Sequence, residues 1–286
     1  MRLSIACALA IAGCQKSDDN DWPPLVPVYP QVIVGDLPTE RGGGNGNVYA
    51  PDILVESGTW RMWYGGQGAD GHDRIHLAES SDGLTWEKRG VVLDRGASNH
   101  VNDPSVVKVA GVYWMFYTDA AVGITDRIHA ATSSDGVLWT KQGEVVGAGP
   151  EPWRTSIVGR PSVLHDGTRF RMWFDATGST PGRHVGYAES TDGLAWTVNA
   201  SPVAQGGAVH VSVVSGVHVM LLEGREGVYR CESADGLLWG AQWLWRPNTG
   251  VHDAHGRVTP FLASDGSLYY GGAMSADWTN NSICRE

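Results

Sequence analysis

A seven-residue pattern, Ser-x-Asp-Gly-x-x-Trp, occurs four times and constrains the fold of this chain more than any other feature. Its aspartates are Asp82, Asp135, Asp192 and Asp235, so successive copies lie 53, 57 and 43 residues apart. This spacing is the length of one four-stranded propeller blade. Asp-Gly favours a tight turn, because glycine tolerates positive φ and aspartate hydrogen-bonds its own backbone. We therefore interpret the pattern as a structural hairpin.

An aromatic or apolar strand precedes each hairpin and also repeats. It occupies residues 60–64, 113–117, 170–174 and 218–222, with a shorter fifth version at 268–270. Each version follows a glycine-containing turn and another apolar strand, so every unit is predicted to contain four antiparallel strands. A sheet with two apolar faces must stack on its neighbours. The sequence predicts an all-β, five-bladed β-propeller.

The fifth unit stops at Glu286, after its third strand. Residues 26–34 resemble the outer-strand pattern of residues 87–93, so we expect an N-terminal strand to complete the last blade. This pairing would close the ring and remove an open sheet edge. The predicted propeller domain spans residues 26–286.

The N-terminus has the pattern of an export signal. Arg2 precedes a short apolar run, which ends in Ile-Ala-Gly-Cys at Cys14. This ending resembles the lipobox of bacterial lipoproteins, which implies a signal peptide at residues 1–13, lipid attachment at Cys14 and a polar tether at 14–25. Gln15 after the cysteine implies an exported protein held at the outer membrane. A plain secretory signal with an incidental cysteine is the alternative.

Composition narrows the choice of partners. Lys and Arg total 21 against 31 Asp and Glu, a formal charge of −10, and 42% of residues are hydrophobic. A core of that size argues against disorder, and an acidic chain without a basic cluster argues against nucleic acid. We expect a monomer that meets the membrane through its lipid alone. Cys231 and Cys284 fall in equivalent strands of neighbouring units, too far apart for a disulfide, so we expect two free, buried thiols.

Charged residues recur where the innermost strands begin. Alignment of the units places five side chains around the propeller axis: Asp52, Asp103, Arg160, His210 and Arg257. The rest of each strand is apolar, so packing does not require charge there. The alternative is an internal salt-bridge network around a watery channel.

Further polar residues are expected on the same face. Second-strand ends contribute Asp175 and Glu223, and the entering loops contribute Glu151, Trp153 and His255. Carboxylates and arginines hold sugar hydroxyls by charge-assisted hydrogen bonds, and aromatic rings stack on sugar C–H faces. The pattern is typical of a carbohydrate site, with Trp153 as the aromatic residue most free to meet a ligand.

Asn-Asp-Pro-Ser at 102–105, Ala-Pro-Asp-Ile at 50–53 and the hairpins resemble the five-bladed glycoside hydrolases of families 43, 32, 68 and 130. The resemblance covers about residues 26–286. It implies that Asp52 is the base or nucleophile and that Asp103 tunes a pKa or holds hydroxyls. The Glu-x-Pro strand start expected for the acid is absent; Arg160 and His210 stand there, which leaves Glu223 or Glu151 as substitutes.

These patterns lead to one preferred function and two alternatives. The preferred function is hydrolysis of a poly- or oligosaccharide by an inverting two-carboxylate mechanism, with Asp52, Asp103 and Glu223 catalytic. The residues expected to bind substrate are Arg160, Arg257, His210, Trp153, Glu151, Asp175 and His255. The alternatives are a non-catalytic glycan-binding propeller and a sialidase-like site in which Arg160 and Arg257 clamp a carboxylate. No cofactor is expected, although the resemblance implies room for Ca²⁺ or another ion in the channel beside His210 or His255.

Overall fold

The computed structural model describes residues 29–44 and 46–286. The predicted signal peptide at 1–13, the predicted lipidation site Cys14 and the tether at 14–25 lie outside the described residues. Within the described part of the chain, no helix has the length and apolar character needed to cross a membrane.

Twenty-one strands in the described residues form five antiparallel sheets, the blades of a five-bladed β-propeller. Blade 1 contains β2 (Val48–Glu56), β3 (Thr59–Gln67), β4 (Asp73–Ser80) and β5 (Glu87–Leu93). Blade 2 contains β6 (His100–Val109), β7 (Val112–Ala120), β8 (Arg127–Ser133) and β9 (Thr140–Val146). Blade 3 contains β10 (Val158–His165), β11 (Phe170–Ala176), β12 (His184–Ser190), β13 (Thr197–Val198) and β14 (Ala204–Gln205). Blade 4 contains β15 (Gly207–Val214), β16 (Val217–Gly224), β17 (Gly227–Ser233) and β18 (Trp243–Pro247). Blade 5 contains β19 (Gly256–Leu262), β20 (Leu268–Ala273), β21 (Asn281–Arg285) and β1 (Gln31–Ile33). Short 3-10 helices occupy Gly42–Gly44 and Pro152–Arg154.

The N-terminal strand closes the ring as predicted. In β1, Gln31 lies opposite Cys284 and Ile33 lies opposite Ile283 of β21. Tyr29 adds a hydrogen bond from its hydroxyl to Glu286 Oε1 at 3.0 Å. The first and last segments of the described chain therefore share one blade, and the last blade gains its fourth strand.

The repeated hairpin is structural, as its sequence pattern predicts. In the first copy, Asp82 Oδ1 accepts the backbone N–H groups of Leu84 and Thr85, both at 2.8 Å. The glycine carbonyls of the hairpins also join neighbouring blades. Trp63 Nε1 of blade 1 donates to the Gly136 carbonyl of blade 2 at 2.9 Å. The same bond recurs from Trp173 of blade 3 to Gly236 of blade 4 at 2.8 Å.

Each innermost strand contains a β-bulge, and these bulges position the site. The bulges place one residue per strand in the left-handed region, with φ between 45° and 52°; these bulge residues are Ala50, Asp103, Arg160, Ala208 and Thr259. Proline follows the bulge residue in all blades except blade 4. Bulges tolerate proline because the ladder hydrogen bond is already interrupted there.

The bulges also determine which side chains lie at the same level of the axis. The residues two positions beyond the bulge residues form what we call the axial layer: Asp52, Ser105, Ser162, His210 and Phe261. Asp52 is thus equivalent to Ser105, whereas Asp103 and Arg160 are bulge residues that also line the mouth cavity, so the predicted ring of side chains combines two levels of the axis. Asp103 and Arg160 are equivalent, as predicted.

The two cysteines of the described chain lie in β17 and β21. Cys231 and Cys284 are both buried and unbonded to one another. The prediction of two free, buried thiols is confirmed.

Candidate functional site

Two cavities lie at opposite ends of the propeller axis. The mouth cavity, of about 570 Å³, is lined by residues that precede or form the bulges, including Tyr49, Asn102, Asp103 and Arg160. The lower cavity, of about 610 Å³, is lined by the strand residues that follow the bulges, such as 52–54 and 105–107. A narrow axial channel of about 40 Å³, lined by bulge residues and the axial layer, lies between them.

Acidic and basic side chains alternate around one half of the mouth cavity, which we call the charged half. Arg160 Nε lies 4.0 Å from Asp103 Oδ2, and Arg160 Nη1 lies 3.2 Å from Asp175 Oδ2. Arg183, just before β12, pairs with Asp175 and reaches Glu223 Oε1 at 3.2 Å. Blades 2, 3 and 4 therefore contribute to one continuous network of ion pairs at the mouth.

Asp103 is a buried carboxyl in this network that keeps one oxygen without a hydrogen bond. It is 6% exposed, and its Oδ2 has no hydrogen-bond partner among the described residues. Burial raises the pKa of Asp103 to about 6, while the guanidinium of Arg160 limits the rise. A carboxyl with a pKa in this range can exchange a proton near neutral pH, as general acid–base catalysis requires.

Asp52 lies on the axis, where it lines the channel and the lower cavity. Its Oδ1 accepts the backbone N–H of Val106 in the next blade at 3.1 Å. Its counterpart Ser105 makes the same bond, through its Oγ, with Val163 N–H at 3.0 Å. Burial raises the pKa of Asp52 to about 7. Asp52 is therefore one of a series of inter-blade acceptors. It lines the axial channel together with Asp103 but, unlike Asp103, does not line the mouth cavity.

Arg257 and His210 occupy different positions from those predicted for substrate-binding residues. Arg257 is buried within blade 5, where Nε donates to Asp253 Oδ2 at 2.6 Å and Nη1 pairs with Glu286. It precedes the bulge residue Thr259 by two positions, so the expected place of Arg257 on the axis is wrong. His210 does reach the axis, but its ring packs 4.4 Å from the ring of Phe261, in the axial layer below the mouth.

The three loop residues predicted at the mouth also lie elsewhere. Trp153 is 4% exposed, because the 3-10 helix Pro152–Arg154 turns it inward. Its ring centroid lies 6.0 Å from that of Phe174, and its Nε1 donates to the Ala200 carbonyl at 3.0 Å. Glu151 pairs with Arg154 at 2.7 Å, and His255 is exposed at the start of blade 5. The expectation that Trp153 is free to meet a ligand is wrong.

Two residues that the sequence patterns did not single out, Arg183 and Trp278, line the mouth cavity. Arg183 lies in a loop between β11 and β12 that no repeat marks. Trp278 lies between β20 and β21, in the one blade of the described chain that lacks the Ser-x-Asp-Gly-x-x-Trp hairpin. The sequence did contain one indication of Trp278: it is a tryptophan in a loop that does not belong to the repeated pattern.

The axial channel does not supply a suitable set of ligands for a calcium ion. Asp52, Asp103 and His210 line it, but no three His, Cys, Asp or Glu side chains of the described chain gather closely enough to hold a metal. Ca²⁺ takes six to eight oxygen ligands in proteins. The residues present do not fit the ion that the sequence resemblance implied, and His255 lies away from the channel lining.

Comparison with known sequences gives partial matches. No family model matches the chain. Two uncharacterized proteins from two strains of Mycobacterium tuberculosis are each 37% identical over 135 residues, which is 43% of this chain and 44% of each relative. The match thus spans less than half of the length of these relatives.

Several solved structures have a similar fold over about nine tenths of this chain. A glycoside hydrolase has a TM-score of 0.73 at 20% identity, over 90% of both proteins. A complex of BT0996 with RGII has a TM-score of 0.74 at 20% identity, also over 90% of both proteins. Zg3597, a family 117 glycoside hydrolase from the marine bacterium Zobellia galactanivorans, has a TM-score of 0.73 at 16% identity over 90% of this chain and 88% of its own. The chain therefore has the five-bladed β-propeller fold found in these glycoside hydrolases.

Proposed function

We propose that this propeller hydrolyses a glycosidic bond of an oligo- or polysaccharide at its mouth cavity. The observation that carries the proposal is Asp103, a buried carboxyl with a pKa of about 6 and one oxygen that accepts no hydrogen bond within the described residues. It lines the same cavity as Glu223, so two carboxyl groups face one concavity. The fold shared with glycoside hydrolases supports the same reaction class, and the RGII complex of one similar structure supports a carbohydrate ligand.

In this proposal Asp103 is the general acid. It donates its proton to the glycosidic oxygen as the bond from that oxygen to the anomeric carbon breaks. Glu223 is the base, which takes a proton from the water that attacks the anomeric carbon from the opposite side. Arg183 Nη1 and the Thr259 N–H hold the Glu223 oxygens at 3.2 and 3.4 Å, so this carboxylate is fixed in place. The product has inverted configuration.

A polysaccharide panel tests the proposal. We expect purified wild-type protein to release reducing ends from at least one polysaccharide, and ¹H NMR of the first product to show inversion. Asp103→Asn keeps the size of the side chain but cannot donate the acidic proton, so it should lose that activity while its circular dichroism spectrum is unchanged. Full activity of Asp103→Asn would reject the assignment of the acid.

A second function, glycan binding without turnover, is favoured by the ion pairs at the mouth. Arg160 and Arg183 together hold Asp175, and Arg183 also holds Glu223. Such a network can bind sugar hydroxyls without a reaction. Retarded migration in affinity electrophoresis with no reducing-end release would favour this function. A sialidase-like site loses support, because Arg257 lies inside blade 5.

We also propose that the propeller is exported and held at the outer membrane by a lipid on Cys14. The support is the sequence pattern that ends at Cys14 and the following Gln15. Saccharides would then meet the mouth cavity outside the cytoplasm.

A further inference from the structure

The side of the mouth cavity formed by blades 5 and 1 differs from the charged half. Its lining is rich in amides and aromatic groups, and we call Asn47, Tyr49, Gln67, Trp278 and Asn281 the neutral half. Asp277 also lies there, but it is exposed, and its Oδ1 accepts hydrogen bonds from Thr279 of its own loop. The cavity thus presents ions on one side and uncharged hydrogen-bonding groups with a large ring on the other.

Trp278 has an unusual backbone for a large exposed residue. Its φ is 61°, in the left-handed region, and the residue is 44% exposed. A bulky residue with positive φ is an outlier, and such strain persists where the surrounding structure enforces it. Asn281 Nδ2 donates to the Trp278 carbonyl at 3.1 Å, and the ring lies over Gly256. Burial in the core does not explain why this strained backbone is retained, because nearly half of the residue's surface remains in solvent.

The side-chain amides beside Trp278 hydrogen-bond to one another, and one amide oxygen accepts no hydrogen bond. Asn281 Nδ2 donates to Asn47 Oδ1 at 2.8 Å, and Asn47 Nδ2 donates to Gln67 Oε1 at 3.2 Å. Asn281 is 4% exposed, yet its Oδ1 has no partner in the described part of the chain. A buried acceptor without a donor is costly, and a ligand hydroxyl would satisfy it.

We propose that the neutral half is a subsite for an uncharged sugar ring. Trp278 stacks on the C–H face of that ring, and Asn281 Oδ1 and the Gln67 amide bind its hydroxyls. The inference rests on the proposed function in placing this ring next to the bond that is cleaved at Asp103. It specifies the ligand as an oligosaccharide with a neutral residue on the side of blades 5 and 1.

Ligand binding in the Asp103→Asn background tests the subsite without turnover. Saturation-transfer-difference NMR with xylobiose, cellobiose and lactose as neutral probes, and digalacturonate as an acidic probe, gives dissociation constants. We expect at least one neutral disaccharide to bind, and Trp278→Ala to weaken it about tenfold, since the stacked ring supplies apolar contact. Trp243→Ala is the matched control, because Trp243 is also 44% exposed but lies on the outer strand β18.

Three outcomes would overturn the subsite. The first is that none of the neutral disaccharides binds at millimolar concentration. The second is that Trp278→Ala binds as tightly as its parent, and the third is that Trp243→Ala weakens binding as much as Trp278→Ala does. Trp278→Gly controls for loss of binding through misfolding, because glycine adopts a positive φ without strain. This variant should have the same thermal unfolding midpoint as its parent and weaker disaccharide binding. Trp278-dependent binding without any hydrolysis would leave the subsite standing and reject the proposed reaction. Hydrolysis at the same rate in Trp278→Ala and the wild type would support the proposed reaction and reject the subsite.

Discussion

Replacing Asp52 with asparagine should make the propeller more stable at neutral and alkaline pH. The amide oxygen of the new side chain would still accept the Val106 N–H, which lies 3.1 Å from Asp52 Oδ1 in the wild-type structure. The amide would not carry the negative charge that a buried Asp52 acquires when it ionises. The variant therefore keeps the inter-blade hydrogen bond and removes the free-energy cost of ionising a buried carboxyl group.

The magnitude follows from the pKa of Asp52. Burial raises this pKa to about 7 in the folded state, against an ordinary value near 4 in the unfolded chain. Between these pH values the folded state binds more protons than the unfolded state, so the free energy of unfolding falls as pH rises. A difference of about 3 in pKa corresponds to about 4 kcal/mol, lost between pH 4 and pH 7. Asp52→Asn should not suffer this loss.

Urea denaturation monitored by tryptophan fluorescence, from pH 4 to pH 8, measures the effect. The unfolding free energy of Asp52→Asn minus that of the wild type should rise by about 4 kcal/mol across this range. Ser162→Ala is the matched control, because Ser162 Oγ accepts the equivalent inter-blade bond from Val211 N–H at 2.8 Å without a titrating group. It should cost about 1–3 kcal/mol at every pH. A difference between Asp52→Asn and the wild type that stays constant with pH would refute the reasoning.

Four further perturbations test other parts of the structure. Deleting residues 24–37 removes β1 from the last blade and should abolish cooperative thermal unfolding; an unchanged melting temperature would contradict the closure. Arg257→Met leaves the buried Asp253 carboxylate unpaired and should cost about 3–5 kcal/mol in urea denaturation, whereas a loss below about 1 kcal/mol would show the pair to be dispensable. If Asp103 is the acid, kcat/KM should fall about tenfold per pH unit above its pKa of about 6, and a flat profile to pH 8 would oppose that role. Cys14→Ala should prevent palmitate labelling in a bacterial host, and labelling that persists would exclude Cys14 as the acylated residue.

The repeats were sufficient to predict the architecture. Each Asp-Gly hairpin combines a turn that glycine permits with a local hydrogen bond, so four copies at blade-length spacing define the units. The incomplete fifth unit indicated that an outer strand had to come from elsewhere, and β1 supplies it. Both inferences depend on interactions that are local or repeated, which a single sequence displays.

The site was predicted less well, because its geometry depends on the bulges. A bulge inserts a residue and changes which side chain faces the mouth, so the predicted ring combined the bulge residues Asp103 and Arg160 with Asp52 and His210 of the axial layer. The fifth blade was aligned on Gly256-Arg257, whereas Pro260 is the residue equivalent to the prolines at 51, 104 and 161. Trp153 was misplaced because a 3-10 turn buries it. Arg183 and Trp278 lie in loops whose paths no repeat specifies, and tertiary contacts alone bring them to the cavity.

The comparison of Asp103→Asn with Asp52→Asn tests the central claim most directly. The measurement is kcat/KM for both variants at the pH optimum, on the polysaccharide from which the wild type releases most reducing ends. We predict that Asp103→Asn loses about 10²- to 10⁴-fold, the usual contribution of a general acid, while Asp52→Asn stays within about twofold of the wild type. Loss of activity in Asp52→Asn with activity retained in Asp103→Asn would contradict the account and place the chemistry on the axis instead of at the mouth.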